Sequence, residues 1–357
     1  MIPTPRTLLP GALLGAMIAV PVFPGQVVAD EVPVCKMIAT GGTIAMRPDP
    51  ETGAPVPADA GEDLLEAVPA VGDYADIEMY NLSNVPSDYM NPRRWIELQQ
   101  EVEAALERDE VAGVIVSHGT DTLEETGYFL DLTVDSEKPI ALIGALRDAA
   151  ADDFDGPRNL VGAARVCASE EAMGRGAMLV MNDRIDAARD VRKGHTHAAD
   201  TFHSGEKGYL GTVEPDELVF HRAPERRQHV PLVDDELPRV DIVMMYGGAE
   251  GDKLQSSIDN GAEGVVVQAL GWGNVNESLY EAIQDATEAG IPVVISSRSP
   301  EGHVRPHYGF DGGGKTLEEA GAVFAGDLLP HKARILLMLA MQHTTDADEL
   351  KAEYFEQ

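Results

Sequence analysis

Residues 34–45 read Val34-Cys35-Lys36-Met37-Ile38-Ala39-Thr40-Gly41-Gly42-Thr43-Ile44-Ala45. A short, mostly apolar run stopped by two glycines suits a strand covered on both faces of a parallel sheet. Runs of the same character recur at 111–117, 140–145, 177–181, 242–246, 264–269 and 293–296. Amphipathic stretches with readable starts lie between them. Asn91 precedes Pro92, followed by Trp95, Leu98, Val102 and Leu106 at helical spacing; Pro157 opens a run through Leu160, Ala164 and Cys167. Two more helices are expected over 276–289 and 330–341. Strand–helix alternation implies an α/β fold whose ligands sit beyond the carboxyl ends of the strands.

The chain has 357 residues, more than one core usually serves. The segment 221–239 carries Arg222, Pro224, Arg226, Arg227, Pro231 and Pro238 without periodicity and reads as a linker. The expected organisation is a leader over 1–29, a larger N-terminal α/β domain over 30–220, the linker, and a smaller C-terminal α/β domain over 240–357. Gly312-Gly313-Gly314 reads as a flexible loop. The leader shows one charge, Arg6, then an apolar run over 8–20 and the small residues Val27-Val28-Ala29 before Asp30. That pattern is a secretory signal, too short to span a bilayer, so a periplasmic or secreted protein is expected.

Hydrophobic residues make up 44% of the chain, enough for sizeable cores. Lys and Arg total 27 against 61 Asp and Glu, a net charge of -34. Such a surface repels phosphate backbones and anionic membranes, which excludes nucleic-acid binding and membrane docking. The few lysines fit either a salt-rich habitat or an ordinary acidic extracellular protein. Cys35 and Cys167 are too few for a disulfide framework and form no Cys-x-x-Cys. Two buried free thiols are expected, with a single bridge as the alternative.

Three motifs bear on chemistry. Gly41-Gly42-Thr43 lets the backbone turn sharply at a strand end and presents a hydroxyl there. Ser117-His118-Gly119-Thr120-Asp121-Thr122 places a second hydroxyl and a carboxylate at the same edge of the sheet, with one of these residues expected to cap the helix beginning near Leu123. Arg189-Asp190-Val191-Arg192-Lys193 brings a lysine able to serve a threonine as base. His195, His197, His203 and His221 cluster in sequence but read as a solvated loop, with no metal expected.

These motifs resemble the asparaginase/glutaminase family of bacterial amidohydrolases, the secreted type in particular. Thr40-Gly41-Gly42-Thr43-Ile44-Ala45 and His118-Gly119-Thr120-Asp121-Thr122 match both family signatures, and Asp155-Gly156-Pro157, Ser296-Ser297-Arg298 and Lys332-Ala333-Arg334 are also similar. The resemblance implies a two-domain fold and hydrolysis of the side-chain amide of L-asparagine, often of L-glutamine too, through a threonine nucleophile and an acyl-enzyme. It implies no metal and no cofactor, and a homotetramer with sites between one subunit's large domain and its neighbour's small one. Thr43 would be the nucleophile, with Thr120, Asp121 and Lys193 as the second hydroxyl and its supporting charges. Ser87 would bind the substrate α-carboxylate, Asp88 and Asp121 the α-ammonium, and Asn274 would reach in from the adjacent subunit.

Three departures stand out. Ala54 occupies the place of the family's mobile loop tyrosine, 302–308 holds no acid to orient one, and Asp88 replaces the glutamine of many members. Tyr308 is the first candidate substitute for the missing hydroxyl, with His307 and Tyr89 behind it; otherwise Lys193 acts through Thr120 as principal base. The rival readings are a related amidohydrolase, glutaminase-dominant or acting on another amide, and a secreted amino-acid-binding protein.

Overall fold

Eight strands form the larger sheet in a computed structural model that describes Met1 and residues 32–49, 51–53, 55–57 and 61–356. The leader beyond Met1 and Ala54 lie outside the described residues. The strands are β1 (Val34–Gly41), β2 (Asp76–Val85), β3 (Val111–Ser117), β4 (Ile140–Ile143), β5 (Ala177–Met181), β6 (Arg184–Ala187), β7 (Gly211–Val213) and β8 (Leu218–Phe220). Their order across the sheet is β8-β7-β6-β5-β4-β3-β1-β2. The five strands from β5 to β2 run parallel, and β6, β7 and β8 extend the sheet antiparallel. A separate all-parallel sheet follows: β9 (Val240–Met244), β10 (Gly264–Ala269), β11 (Val293–Ser297) and β12 (Val323–Phe324), in that order.

Side chains alternate across the pleat and sort the core into layers. On one face Ile38, Val114, Val116, Leu142 and Leu179 meet α1 (Pro92–Leu106) and α2 (Leu123–Thr133) through Leu98, Val102 and Leu130. On the other, Met37, Ile115, Ala141, Ile143 and Val180 meet α3 (Gly156–Cys167) through Leu160, Ala163 and Ala164. The smaller sheet repeats the plan. Val265, Val267 and Ile295 pack on α4 (Glu277–Glu288), while Val266 and Val294 share a core with α5 (Pro330–Ala340). Tyr128, Phe129 and Leu132 of α2 enter that second core beside Leu336, so α2 and α5 lie between the sheets. Burying one such side chain contributes roughly 1.5–3 kcal/mol.

Helix starts follow their sequence signals. Asn91 Oδ1 accepts from Arg94 N–H at 3.2 Å, and Asn276 Oδ1 from Leu279 N–H at 3.0 Å. Thr122 stands at the start of α2 but makes no cap bond; its hydroxyl donates instead to Ser87 O at 2.8 Å.

Several expectations need correction. Cys35 on β1 and Cys167 at the end of α3 form a disulfide, not two free thiols. The helix crosses directly over the strand, with the two Cα atoms 6.3 Å apart. Gly312 to Gly314 form no flexible loop. Cβ atoms there would lie 2.5 Å from Val275 O, 2.4 Å from Tyr308 O and 2.7 Å from Arg305 O, so close backbone packing requires glycine. Strand β9 lies two residues earlier than its apolar run, and β4 stops at Ile143, after which Gly144 N–H donates to Met181 Sδ at 3.1 Å and not to a backbone carbonyl.

Candidate active site at the carboxyl edge of the larger sheet

Strand β1 is hydrogen-bonded in parallel to both β2 and β3, so all three deliver their carboxyl ends to one edge. There the loops touch. Gly42 donates its N–H to Val85 O at 3.1 Å, and a Cβ on Gly42 would sit 2.2 Å from Gly119 Cα. A Cβ on Gly119 would in turn meet Ser87 Oγ at 2.8 Å. The next residues are Thr43, in a single 3-10 turn, and Thr120, which is buried. Thr40, also in the first motif, is structural: its hydroxyl donates to Ser117 O at 3.0 Å.

Lys193 lies on a two-residue strand, Arg192–Lys193, paired antiparallel with Phe202–His203. Its Nζ donates to Thr120 Oγ1 at 2.8 Å and to Asp121 Oδ1 at 2.5 Å. Asp121 N–H donates to Ser87 Oγ at 3.2 Å. Thr120, Asp121, Lys193 and Ser87 therefore share one hydrogen-bonded group, and the Gly42–Gly119 contact brings the residue before Thr43 against the residue before Thr120. Asp88 follows Ser87 and is exposed, as is Asp121. A lysine held against a hydroxyl takes its proton as the neutral amine and, as the ammonium, stabilises the resulting alkoxide.

His118 and Glu124 carry structural roles that the motifs alone did not assign. His118 is fully buried, and burial pushes its pKa down to about 4, so it is neutral. Its Nδ1 donates to Gly119 O at 2.7 Å and its Nε2 accepts from Thr126 Oγ1 at 2.9 Å, which itself accepts from Trp95 Nε1 at 3.0 Å. This chain pins the Gly119–Thr120 loop to α1 and α2. Glu124 accepts from Lys193 N–H at 3.1 Å and from His331 Nε2 at 3.1 Å. Burial opposes its charge, but the His331 hydrogen bond and the charge of Lys332 win and keep the carboxylate ionised. His331 and Lys332 stand on α5, far along the chain; the signal was a lysine in a helix's first turn, where the dipole disfavours it.

Asn274 is not joined to this group within one chain. It ends a tight turn after β10, with its N–H on Leu270 O at 2.9 Å, and its buried Oδ1 has no hydrogen-bond partner among the described residues. Tyr308 also lies elsewhere: its half-exposed ring packs among Trp272, His307 and Phe310, at centroid distances of 5.9, 4.9 and 5.9 Å. Glu301, directly before the acid-free stretch, pairs with Arg192. His195 Nδ1 is occupied by the N–H groups of His197 and Ala198, each at 3.1 Å, within its own turn.

Two α/β sheets with a hydroxyl, an ammonium and carboxylates gathered at the strand ends define an amidohydrolase framework. The chain belongs to the asparaginase family. The family model described as "Asparaginase, N-terminal" matches residues 35–226, and "Glutaminase/Asparaginase C-terminal domain" matches 239–355. The chain is 36% identical over 336 residues to L-asparaginase 2 of Bacillus subtilis, covering 91% of this chain and 87% of that protein. It is 36% identical over 335 residues to a probable periplasmic L-asparaginase of Haemophilus influenzae, covering 92% and 94%. To L-asparaginase 2 of Escherichia coli it is 35% identical over 336 residues, again covering 92% and 94%.

Proposed function

We propose that this chain hydrolyses the side-chain amide of L-asparagine to L-aspartate and ammonia, and accepts L-glutamine as a second substrate. The observation that carries the reading is Lys193 Nζ, 2.8 Å from Thr120 Oγ1 and 2.5 Å from Asp121 Oδ1, beside the Gly42–Gly119 contact that presents Thr43. In this reading Thr43 Oγ attacks the amide carbon. As Lys193 Nζ gives a proton to the leaving nitrogen it takes up the Thr120 proton, Thr120 takes up that of Thr43, and ammonia departs from an acyl ester on Thr43. Water, giving up a proton to the same pair, then hydrolyses the ester and returns the Thr43 hydroxyl. Lys193, rather than Tyr308, is favoured as principal base because it already contacts a site hydroxyl while the Tyr308 ring is held in its own aromatic group.

Ser87 receives the substrate α-carboxylate, and Asp121 with Asp88 the α-ammonium. A zwitterion needs both kinds of group, and an analogue without its amine leaves the acids unpaired. Asp121 keeps 60% of its side-chain exposure and Asn274 Oδ1 is buried without a partner among the described residues, which supports a homotetramer in which Asn274 of a second copy completes the site. The name of the Haemophilus relative, the leader pattern and the Cys35–Cys167 disulfide together support export to the periplasm or medium.

The test is ammonia release from the purified mature protein supplied with L-Asn, L-Gln and their D-isomers. Thr43→Ala and Thr120→Val should each abolish turnover while leaving the melting curve cooperative. Turnover of either variant within tenfold of wild type would sink the assignment.

A further inference from the structure

Lys332 is a positively charged side chain in the first turn of α5 and only 1% exposed. Both facts are unfavourable alone: the helix dipole opposes a cation there, and a buried charge is costly unless fully bonded. It is fully bonded. Its Nζ donates to Ala188 O at 2.8 Å, to Arg189 O at 2.9 Å and to Val191 O, one acceptor for each ammonium proton. Those carbonyls form the bend between β6 and the short strand that carries Lys193. The adjacent residue grips the same strand by a second route: His331 Nε2 donates to Glu124 Oε2, and Glu124 Oε1 accepts the N–H of Lys193. Burial pushes the Lys332 pKa down to about 8; the charges of Glu124 and Asp131 of α2 and Asp190 of the bend favour the ammonium, and Arg189 opposes it.

We propose that Lys332 and His331 are positioning residues for Lys193: the first turn of α5, from the C-terminal half of the chain, fixes the bend and strand that aim the Lys193 ammonium at Thr120. The inference rests on the reading of Lys193 as the proton-transferring group. Two independent attachments, one on carbonyls just before Lys193 and one on its own N–H, leave its backbone little freedom. A long flexible lysine needs that fixed base if its Nζ is to stay within hydrogen-bond reach of Thr120.

The test is a double-mutant cycle on the full mature protein, with L-Asn as substrate. Lys332→Met keeps the length and removes the donors. It should lower kcat at least tenfold and leave KM within threefold, in protein that is folded by circular dichroism. Placed in a Lys193→Met background, the same substitution should change the residual kcat less than threefold, because the group it positions is already gone. A tenfold further loss in that background would mean that Lys332 serves the fold generally and would overturn the proposal. So would a kcat for Lys332→Met within twofold of wild type. If Lys332→Met does not fold, His331→Gln decides, since that side chain is 27% exposed and outside the core. It should lower kcat threefold or more with KM unchanged, and an unchanged kcat overturns the proposal. Lys193→Met at wild-type turnover would instead remove the functional reading beneath it, so the two failures are distinguishable.

Discussion

Replacing Gly42 by alanine tests whether the contact between two loops creates the site. Gly42 has φ 86 and ψ -176, a region populated almost only by glycine, where an alanine costs about 1–3 kcal/mol. The added Cβ would lie 2.2 Å from both Cα and N of Gly119 and 2.8 Å from His118 C. Carbon contacts relax near 3.5–4.0 Å, so the loops must part by about 1 Å or more. Neither side yields freely. The first loop is tied to Val85 through Gly42 N–H, and the second is pinned by His118 to Thr126. The displacement falls on Thr43 and Thr120, and a misplacement of about 1 Å at reacting groups costs on the order of 100-fold in rate. Gly42→Ala should therefore lower kcat/KM for L-Asn about 100-fold and also lower the melting temperature. Gly261→Ala is the control: φ is 94, nothing lies within 4 Å of its Cβ, and it sits in the smaller domain. It should lose some stability to backbone strain and keep its turnover. A Gly42→Ala enzyme within threefold of wild type would refute the view that this backbone contact builds the site.

Asp88→Gln should raise the ratio of kcat/KM for L-Asn over L-Gln, because the carboxylate's charge attracts the ammonium where an amide only accepts a hydrogen bond; an unchanged or reversed ratio refutes this. Thiol titration of the unreduced, denatured protein should find no free thiol, and two after reduction. The Cys35→Ser, Cys167→Ser double variant should lose roughly 3–5 kcal/mol, given a separation of 132 residues, measured by denaturant unfolding. Asp327 pairs with Arg189 at 2.7 Å; burial raises its pKa, but the Arg189 hydrogen bond and charge prevail and hold it below the ordinary 3.8. Its contribution is thus present above about pH 4 and fades as pH falls further. Asp327→Asn should cost about 3–5 kcal/mol at pH 7 and flatten the acid end of the stability profile. Equal acid sensitivity in variant and wild type would contradict it.

The parallel core was legible because β1, β3, β5 and β10 are largely buried on both faces and therefore mostly apolar. Strand β2 was not, for a physical reason: it is the sheet's edge, half-exposed along its length, and reads as Glu78, Tyr80, Asn81 and Ser83. Strands β6, β7 and β8 are three or four residues long, too short for a period to register. At the site, strand-end motifs exposed Thr43, Thr120 and Asp121, since glycine followed by a hydroxyl is a local pattern. The group that holds Lys193 is non-local: Glu124 lies 69 residues before it, and the Lys332–Val191 contact spans 141 residues. No window of sequence contains it. The disulfide was illegible similarly, because two cysteines in apolar runs look the same whether or not a helix crosses a strand at that point.

The net charge of -34 bears on the product more than on the substrate. L-Asparagine is a net-neutral zwitterion, so the long-range field of an acidic surface neither attracts nor repels it. Local groups must do the selecting, and near the site Arg189, Arg192 and Lys193 are each paired with an acid. L-Aspartate leaves as an anion that this field repels, and ammonium leaves with it. A negative surface should therefore weaken rebinding of the product, an effect carried over distances that salt screens beyond about 8–10 Å. Inhibition by L-aspartate should strengthen as NaCl is raised from about 0.02 M to 0.5 M, while KM for L-asparagine changes less than twofold. If the inhibition constant for L-aspartate is flat across that range, the surface charge has no part in product release and serves solubility alone.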